Sequence, residues 1–339
     1  MAETFLDLRE READLAHSAE LACVSHVTQG TATLPAAMAA PPTEHEILDV
    51  NRRYHDVAAE SYDAKWGISF GEIGHRQVLG KLSKLLGPRP GPFGRSLEIG
   101  AGTGYFSLNM LQTGVVREAT CTDISPGMLA TLEDNAEALG LDVETAACDA
   151  ADLPFDDETF DLVFGHAALH HLPDLDRAFA EFHRVLKPGG TLFFAGEPSR
   201  TGDRLARVPK QTAWRLSPLW RKAMHARPAP AHGDTGDAAA EHALEGVVDV
   251  HAFVPADLEE RASAAGFADV RVRGEELLAN WFGWFNRTLE ASAEPQDVPW
   301  GWIQYAYRGY ILLQRVDRRL LEPRLPPRIF YNLMVAARK

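Results

Sequence analysis

A glycine-rich turn lies near the middle of the chain, in the run LEIGAGTGYF of residues Leu97–Phe106. Its glycines follow an apolar segment typical of a buried strand and precede a helical pattern. Glycine permits backbone dihedrals that other residues avoid and lets a ligand touch the backbone. The amides that open the next helix can also meet a carboxylate. The spacing is GxGxG, whereas dinucleotide-binding proteins use GxGxxG, so the turn alone predicts a ligand site only weakly.

Two carboxylates stand where the next expected strands end. Asp123 lies about twenty residues beyond the turn, where an acidic side chain can accept hydrogen bonds from ribose hydroxyls. Asp149 follows the third expected strand and could accept from an adenine amino group. Each has an alternative, because Asp123 could cap the helix that begins near Ser125 and Asp149 could be a solvated loop residue. Together with the glycine turn, they predict a nucleoside-binding site at three successive strand ends.

Candidate general bases follow the fourth and fifth expected strands, where open α/β sheets bind ligands. A histidine pKa of about 6.5 suits proton transfer at neutral pH. Histidines of the FGHAALHHLPD run could instead pack or bond to the backbone, and Glu197 could orient the acceptor. His171 is a further histidine of this group. The predicted catalytic candidates are His166, His170 and Glu197, with His166 preferred as the base.

A sheet must position these residues, and short strand patterns alternate with helical ones from Ser96 to Glu197. This alternation predicts a parallel sheet with helices on both faces. A late helix starts at Pro255, a residue suited to the first helical turn. We predict a Rossmann-like, doubly wound, mostly parallel α/β sheet of seven strands, with helical insertions that form a cap. The expected strands are Ser96–Ile99, Glu118–Thr122, Val143–Ala147, Leu162–Gly165, Thr191–Ala195, Asp269–Val272 and Ile329–Ala337, and the expected helices include Asp49–Leu86, Ser125–Leu139, Leu175–Leu186 and Pro255–Ala265.

These motifs together resemble the class I S-adenosylmethionine (SAM)-dependent methyltransferase family, and in particular its small-molecule methyltransferase type 11 branch. The resemblance covers roughly Tyr54 to Glu197 and then Phe253–Val272, whereas the two insertions and the N-terminal arm have no counterpart in it. The runs that carry it, in the family's order and spacing, are LEIGAGTGYF (Leu97–Phe106), TDISPGML (Thr122–Leu129), CDAADLPFDDETFDLVFGHAALHHLPD (Cys148–Asp174) and VLKPGGTLFFAGEP (Val185–Pro198).

The resemblance implies a role for each matching position. The methionine half of SAM should lie among Glu98 and the turn glycines, with Asp123 at the ribose diol. His166 should lie near the sulfonium and the acceptor. Ile124 and Met128 should face the adenine, and a helix bearing two tyrosines should close over the cofactor. The implied cofactor-binding residues are Tyr54, Tyr62, Glu98, Gly100, Ala101, Gly102, Gly104, Asp123, Ile124, Met128, Asp149, Ala150 and His166.

Two interruptions of the core pattern define the expected domain organisation. The insertions should cover the sheet and should not form independent domains. A polar helix over Glu3–Val27 and a linker over Gly30–Thr43 are expected before the core. The expected segments are an N-terminal arm and linker (1–45), the SAM-binding core (46–198), a first cap insertion (199–250), a core helix and strand (251–274), an aromatic-rich second insertion (275–327) and the last core strand (328–339).

The insertions carry the least specific signals. Four of the seven tryptophans, Trp281, Trp284, Trp300 and Trp302, fall in the second insertion. These rings could pack the insertion onto the sheet, line an acceptor pocket or contact a membrane surface, which the net charge does not favour. The run Arg315–Arg319 could be a solvated helix face or a phosphate site. The basic residues of the first insertion could form a solvated helix face or could attract an anionic acceptor. These residues are Arg200, Arg204, Arg207, Lys210, Arg215, Arg221 and Lys222.

Composition narrows the classes of partner. The formal net charge of −14 argues against nucleic acid. The three cysteines, Cys23, Cys121 and Cys148, have no zinc-ligand spacing, so we expect no metal and a reducing, cytoplasmic compartment. We expect neither a signal peptide nor a transmembrane helix, and a homodimer is possible.

The sequence therefore predicts a SAM-dependent methyltransferase that transfers a methyl group to a small, apolar or aromatic acceptor by in-line displacement. Alignment of the acceptor would supply much of the acceleration, up to about 7–11 kcal/mol in ideal cases. Two alternatives stay open. One is a SAM-binding fold without methyl transfer that serves as a partner-binding module. The other is an enzyme that uses SAM for another reaction, such as a cyclisation aided by the sulfonium charge.

Overall fold

The computed structural model describes residues 43–66, 68–229 and 250–339. The predicted helix Glu3–Val27, nearly all of the linker Gly30–Thr43 and residues 230–249 of the first insertion lie outside the described residues. Among the described residues, no helix combines the length and the apolar character needed to cross a bilayer.

Seven strands form one mixed sheet in the order β3-β2-β1-β4-β5-β7-β6. Strands β1 to β5 pair in parallel, whereas β7 runs antiparallel to both neighbours. The prediction of an α/β, mostly parallel sheet is confirmed at this level. The observed strands are β1 (Phe93–Ile99), β2 (Val116–Asp123), β3 (Glu144–Ala147), β4 (Phe160–His166), β5 (Leu186–Pro198), β6 (Ala268–Glu275) and β7 (Asn332–Arg338).

Helices connect and cover these strands, and one prediction about them was wrong. The stretch Asp49–Leu86 is two helices, because the chain turns at Gly71, whose backbone is extended where the second helix begins. Ser125 caps α4 by accepting a hydrogen bond from the Met128 amide at 3.1 Å. The observed helices are α1 (Glu44–Trp66), α2 (Glu72–Leu86), α3 (Tyr105–Gln112), α4 (Pro126–Leu139), α5 (Leu175–Val185), α6 (Arg200–Met224), α7 (Pro255–Ala264), α8 (Leu278–Glu290) and α9 (Trp300–Val316).

Successive strand side chains alternate between the two faces of the sheet, and helices cover both faces, so the side chains on each face are buried. On β4, Val163 packs into a core that includes α5 and α7, while its neighbours Leu162 and Phe164 pack into a core that includes α2 and α3. The strand ends of a sheet covered in this way are free to carry ligand-binding loops.

The insertions contribute α6, α8 and α9, which pack against one another. The rings of Trp220 and Trp302 meet edge to face with centroids 5.2 Å apart, and Trp284 lies against Tyr331 at 5.9 Å. Lys210, predicted on a basic helix face, is buried with its Nζ 3.4 Å above the Trp284 ring. Trp220, Trp284 and Trp302 therefore take part in packing between these elements.

Candidate active site

A first cavity opens at the carboxyl ends of β1, β2 and β4, next to the point where the strand order reverses between β1 and β4. Open α/β sheets bind ligands at this topological position. The cavity is lined by the glycine turn and by both predicted carboxylates, Asp123 and Asp149. Ala101, Ile124 and Ala150 also line it.

The glycines of the turn differ in what they do. All three adopt positive φ angles, which favour glycine. Gly102 lines the first cavity, and a Cβ there would meet nothing within 4 Å. Gly104 does not line the cavity, and a Cβ there would lie 2.8 Å from Leu132 Cγ and 3.0 Å from Leu108 Cδ1. In this structure Gly104 therefore serves the close packing between α3 and α4, and its predicted contact with the cofactor stays a prediction.

Both carboxylates brace the backbone around the cavity. Asp123 accepts hydrogen bonds from the amides of Gly102 and Ser125, each at 2.9 Å. Asp149 accepts from the Ala151 amide at 2.9 Å. A carboxylate has about four lone-pair positions, so each side chain retains acceptor capacity toward a ligand.

Glu98 is a buried carboxyl group in the wall of the cavity. It accepts hydrogen bonds from the backbone amide and the hydroxyl of Ser107. Burial raises its pKa to about 8, despite the opposing effect of these hydrogen bonds. Glu98 therefore favours its protonated form at neutral pH.

Helix α1 contributes Tyr54 and Tyr62 to the wall of the cavity. Asp56 ties it to the start of α4 by accepting from Ser125 Oγ at 2.5 Å and from the Gly127 amide at 3.0 Å. Met128, predicted to face the adenine, is fully buried against Ala58 and Ala59 of α1 and does not line the cavity.

Glu197 and His170 form a buried scaffold behind the cavity. Glu197 Oε1 accepts from the amides of Ala168 and Leu169, at 3.0 and 3.1 Å. Its Oε2 contacts the His170 amide at 3.1 Å and the ring Nδ1 at 2.9 Å. His170 lines the cavity and Glu197 does not. In this structure Glu197 therefore braces the loop after β4, and its predicted role as a base stays a prediction.

His166 stands between two cavities. It lines the first cavity and also a second cavity of about 630 Å³ beside α2 and α9. Its ring stacks on Phe106, with centroids 4.7 Å apart and planes 20° apart. Burial, aided by the charge of Lys81, lowers its pKa to about 3. His166 is thus neutral near pH 7 and a weaker proton acceptor than the sequence predicted.

Three buried polar atoms of the first cavity have no hydrogen-bond partner among the described residues: Asn51 Oδ1, Thr103 Oγ1 and Asn332 Nδ2. Because buried polar groups are nearly always paired, these atoms fit a polar ligand such as SAM. Sequence reasoning missed all three. Asn51 stands three residues before Tyr54 on one face of α1, so helical spacing was a usable signal. Asn332 arrives from the far end of the chain on β7, without a local motif.

Comparisons with known proteins agree with this geometry. A family model described as a methyltransferase domain matches residues 97–194. The malonyl-[acyl-carrier protein] O-methyltransferase of Methylococcus capsulatus is 36% identical over 44% of this chain and 58% of its own length. The ubiquinone/menaquinone biosynthesis C-methyltransferase UbiE of Marinomonas sp. is 30% identical over 53% of this chain and 72% of its own length.

Among solved structures, phosphoethanolamine N-methyltransferase 2 of Haemonchus contortus, bound to S-adenosylhomocysteine and phosphomonomethylethanolamine, has a TM-score of 0.54. It is 19% identical and aligns with 88% of this chain and 60% of its own, so this likeness concerns the fold. The chain belongs to the class I SAM-dependent methyltransferase family. It spans 52% to 64% of the lengths of the three malonyl-[acyl-carrier protein] O-methyltransferases that it matches.

Proposed function

We propose that this protein binds SAM in the first cavity and transfers its methyl group to a small acceptor. The observation that carries the proposal is the convergence of Gly102, Asp123 and Asp149 from three successive strand ends on one cavity. The unpartnered polar atoms in the same cavity support a polar ligand of this kind.

The residues present fit each part of SAM. Glu98 and the glycine turn would hold the amino-acid tail, since a carboxyl group can pair with its ammonium and backbone amides with its carboxylate. Asp123 would accept from the ribose hydroxyls, and Asp149 from the adenine amino group. Helix α1 would cover the cofactor and exclude water.

When bound, SAM supplies an electrophilic methyl group on a sulfonium whose C–S bond breaks as the acceptor bond forms. The protein then has to align the acceptor and keep water out, which contributes up to about 7–11 kcal/mol. Neutral His166 would orient the acceptor by donating a hydrogen bond from its ring N–H. With a pKa of about 3 it gives little driving force for proton removal. An acceptor atom that is already deprotonated therefore suits this site best.

The acceptor would enter from the second cavity, whose size is ordinary for a small-molecule site. Its wall includes Ile73, Tyr307 and Ile311, which suits an apolar or aromatic body. The tryptophans of the insertions that gave rise to this expectation line neither cavity. The related enzymes are named for methyl transfer to oxygen and to carbon, so the acceptor atom is left open. We propose that both insertions act as a cap on the sheet.

Methyl-labelled SAM incubated with the protein and fractionated metabolite extracts tests this function. Mass spectrometry should reveal one metabolite with the isotope shift of an added methyl group, in the reaction with active protein and not in a heat-denatured control. SAM binding without any labelled product from any fraction would favour the alternative of a binding module. A SAM-dependent product without the label would favour another use of SAM.

A further inference from the structure

The second cavity has a markedly basic lining in an acidic protein. Seven basic side chains and two acidic ones face it, while the whole chain has a formal net charge of −14. Local charge of the sign opposite to the protein's own attracts ligands of the other sign. The cavity volume of about 630 Å³ leaves room for a ligand beside these charges.

The buried charged side chains of the second cavity already neutralise one another. Lys81 and Lys84 each lie 2.7 Å from an oxygen of buried Glu275, and Lys84 also lies 3.0 Å from Glu322. Glu276 accepts from Tyr310 Oη at 2.5 Å and from Gln314 at 3.0 Å. These pairs form a neutralised wall, so the excess positive charge lies elsewhere in the cavity.

The excess positive charge of the second cavity belongs to five exposed arginines in its lining, which we call the arginine rim. Among the described residues, no carboxylate oxygen lies within 4.0 Å of any of these guanidinium groups. They come from α2, from α9 and from the π-helical segment Asp317–Leu321 that follows α9, so the fold gathers them from distant parts of the sequence. The members of the arginine rim are Arg76, Arg308, Arg315, Arg318 and Arg319.

The inner end of the second cavity reaches the proposed methyl-transfer site. Tyr105 and His166 line both cavities. Gln77 lies beside them in the second cavity, where its Oε1 accepts from Tyr105 Oη. Its Nε2 is buried and has no acceptor among the described residues. An amide donor of this kind next to the junction is suited to pair with a polar acceptor group of a ligand.

We propose that the methyl acceptor is an amphipathic anion whose carboxylate or phosphate binds the arginine rim, while its other end passes Gln77 to reach His166. This inference rests on the proposed function, because it assigns the second cavity to the acceptor. Arginine suits the task, since its planar donors match the oxygens of carboxylates and phosphates. A merely solvated arginine face would not be expected to end at an unpartnered donor beside the cofactor cavity.

The test uses two simple anions, inorganic pyrophosphate and succinate, as probes of the rim. Each is titrated by calorimetry into the full chain saturated with S-adenosylhomocysteine. The variant Arg315→Ala/Arg319→Ala removes two rim charges. The matched control, Arg215→Ala/Lys222→Ala, removes two exposed positive charges from α6, outside both cavities. The probe that binds wild type more tightly identifies the rim's anion as phosphate or carboxylate.

The rim variant should weaken binding of the preferred probe about tenfold or more, as expected for lost charge-assisted hydrogen bonds, and the α6 variant should bind within about twofold of wild type. Failure of wild type to bind either probe, or equal weakening in both variants, would overturn the inference. Binding of S-adenosylhomocysteine is measured separately, and the probes are also titrated into the protein without it. If S-adenosylhomocysteine does not bind while rim-dependent anion binding persists, the proposed function falls and an anion site remains.

Discussion

Gly196 lies directly against the imidazole of His166. Its φ is +77°, and a Cβ built on it would be 2.8 Å from His166 Nε2. Glycine thus serves two needs here, since the left-handed backbone disfavours other residues and the ring occupies the space of a side chain. Gly196 belongs to β5, so the position of His166 between the two cavities depends on a neighbouring strand.

Replacing Gly196 with alanine should displace the His166 ring and slow methyl transfer. We expect turnover to fall about 10- to 100-fold, because small misplacements near reacting atoms are costly, with little change in SAM affinity. Gly189→Ala is the matched control, since Gly189 has the same φ of +77° and no atom within 4 Å of a built Cβ. Turnover of the two variants and wild type is compared in steady-state assays with the identified acceptor, and SAM affinity is compared by titration. Equal loss of turnover in both variants would refute a specific role for the contact.

The variant Glu197→Gln distinguishes a structural role of Glu197 from a role as the general base. The glutamine cannot accept from all of the groups that Glu197 now holds, so the free energy of unfolding should fall by about 1–3 kcal/mol. Chemical denaturation measures the loss, with Glu137→Gln on the exposed face of α4 as control. Unchanged stability with abolished turnover would instead indicate that Glu197 removes a proton.

SAM binding at pH 7 should release protons from Glu98. Its raised pKa of about 8 keeps it protonated in the free protein, and the ammonium of SAM should favour the ionised form. Calorimetry in buffers of different ionisation enthalpy should report release of up to about one proton, which Glu98→Gln should abolish. The raised pKa also means that Glu98 stabilises the fold at low pH and that this contribution is lost as the pH rises toward 8. Equal proton release by both proteins would contradict this assignment.

Asp56→Ala should loosen helix α1 over the cofactor. The change removes the contacts to Ser125 and Gly127, and SAM should dissociate about five- to tenfold faster, since a typical hydrogen bond is worth about 1 kcal/mol. Asp49→Ala on the same helix loses only ion pairs with Arg52 and Arg53 and serves as control. Stopped-flow displacement of SAM measures the rates. Equal dissociation rates in wild type and Asp56→Ala would mean that α1 does not retain the ligand.

The sheet and the strand-end residues were predictable because their signals are local. A glycine turn after an apolar strand, and an aspartate after each of the next strands, define the same edge of a parallel sheet. Five strands were predicted too short, most of all β5, whereas the strands predicted for β3 and β7 began too early. The antiparallel direction of β7 depends on pairing with distant β5 and β6, which no local pattern encodes.

The surroundings of the site residues could not be predicted, because a residue type does not reveal its neighbours. Gly104 and Met128 match the family's motifs and contact core side chains. Glu197 follows a strand, and both of its oxygens accept hydrogen bonds from backbone amides. The arginine rim could not be predicted as a group because Arg76 joins it across more than two hundred residues of sequence.

The most direct test of the account is the affinity of SAM for Asp123→Asn, measured by calorimetry beside wild type and Asp142→Asn. Asp142 is exposed just before β3 and lines neither cavity. We predict micromolar binding by wild type and by the Asp142 variant, and at least about tenfold weaker binding by the Asp123 variant, since a carboxylate that holds a sugar diol contributes about 1.5–3 kcal/mol. Wild type that binds no SAM, or an Asp123 variant that binds it as tightly as wild type, would contradict the account.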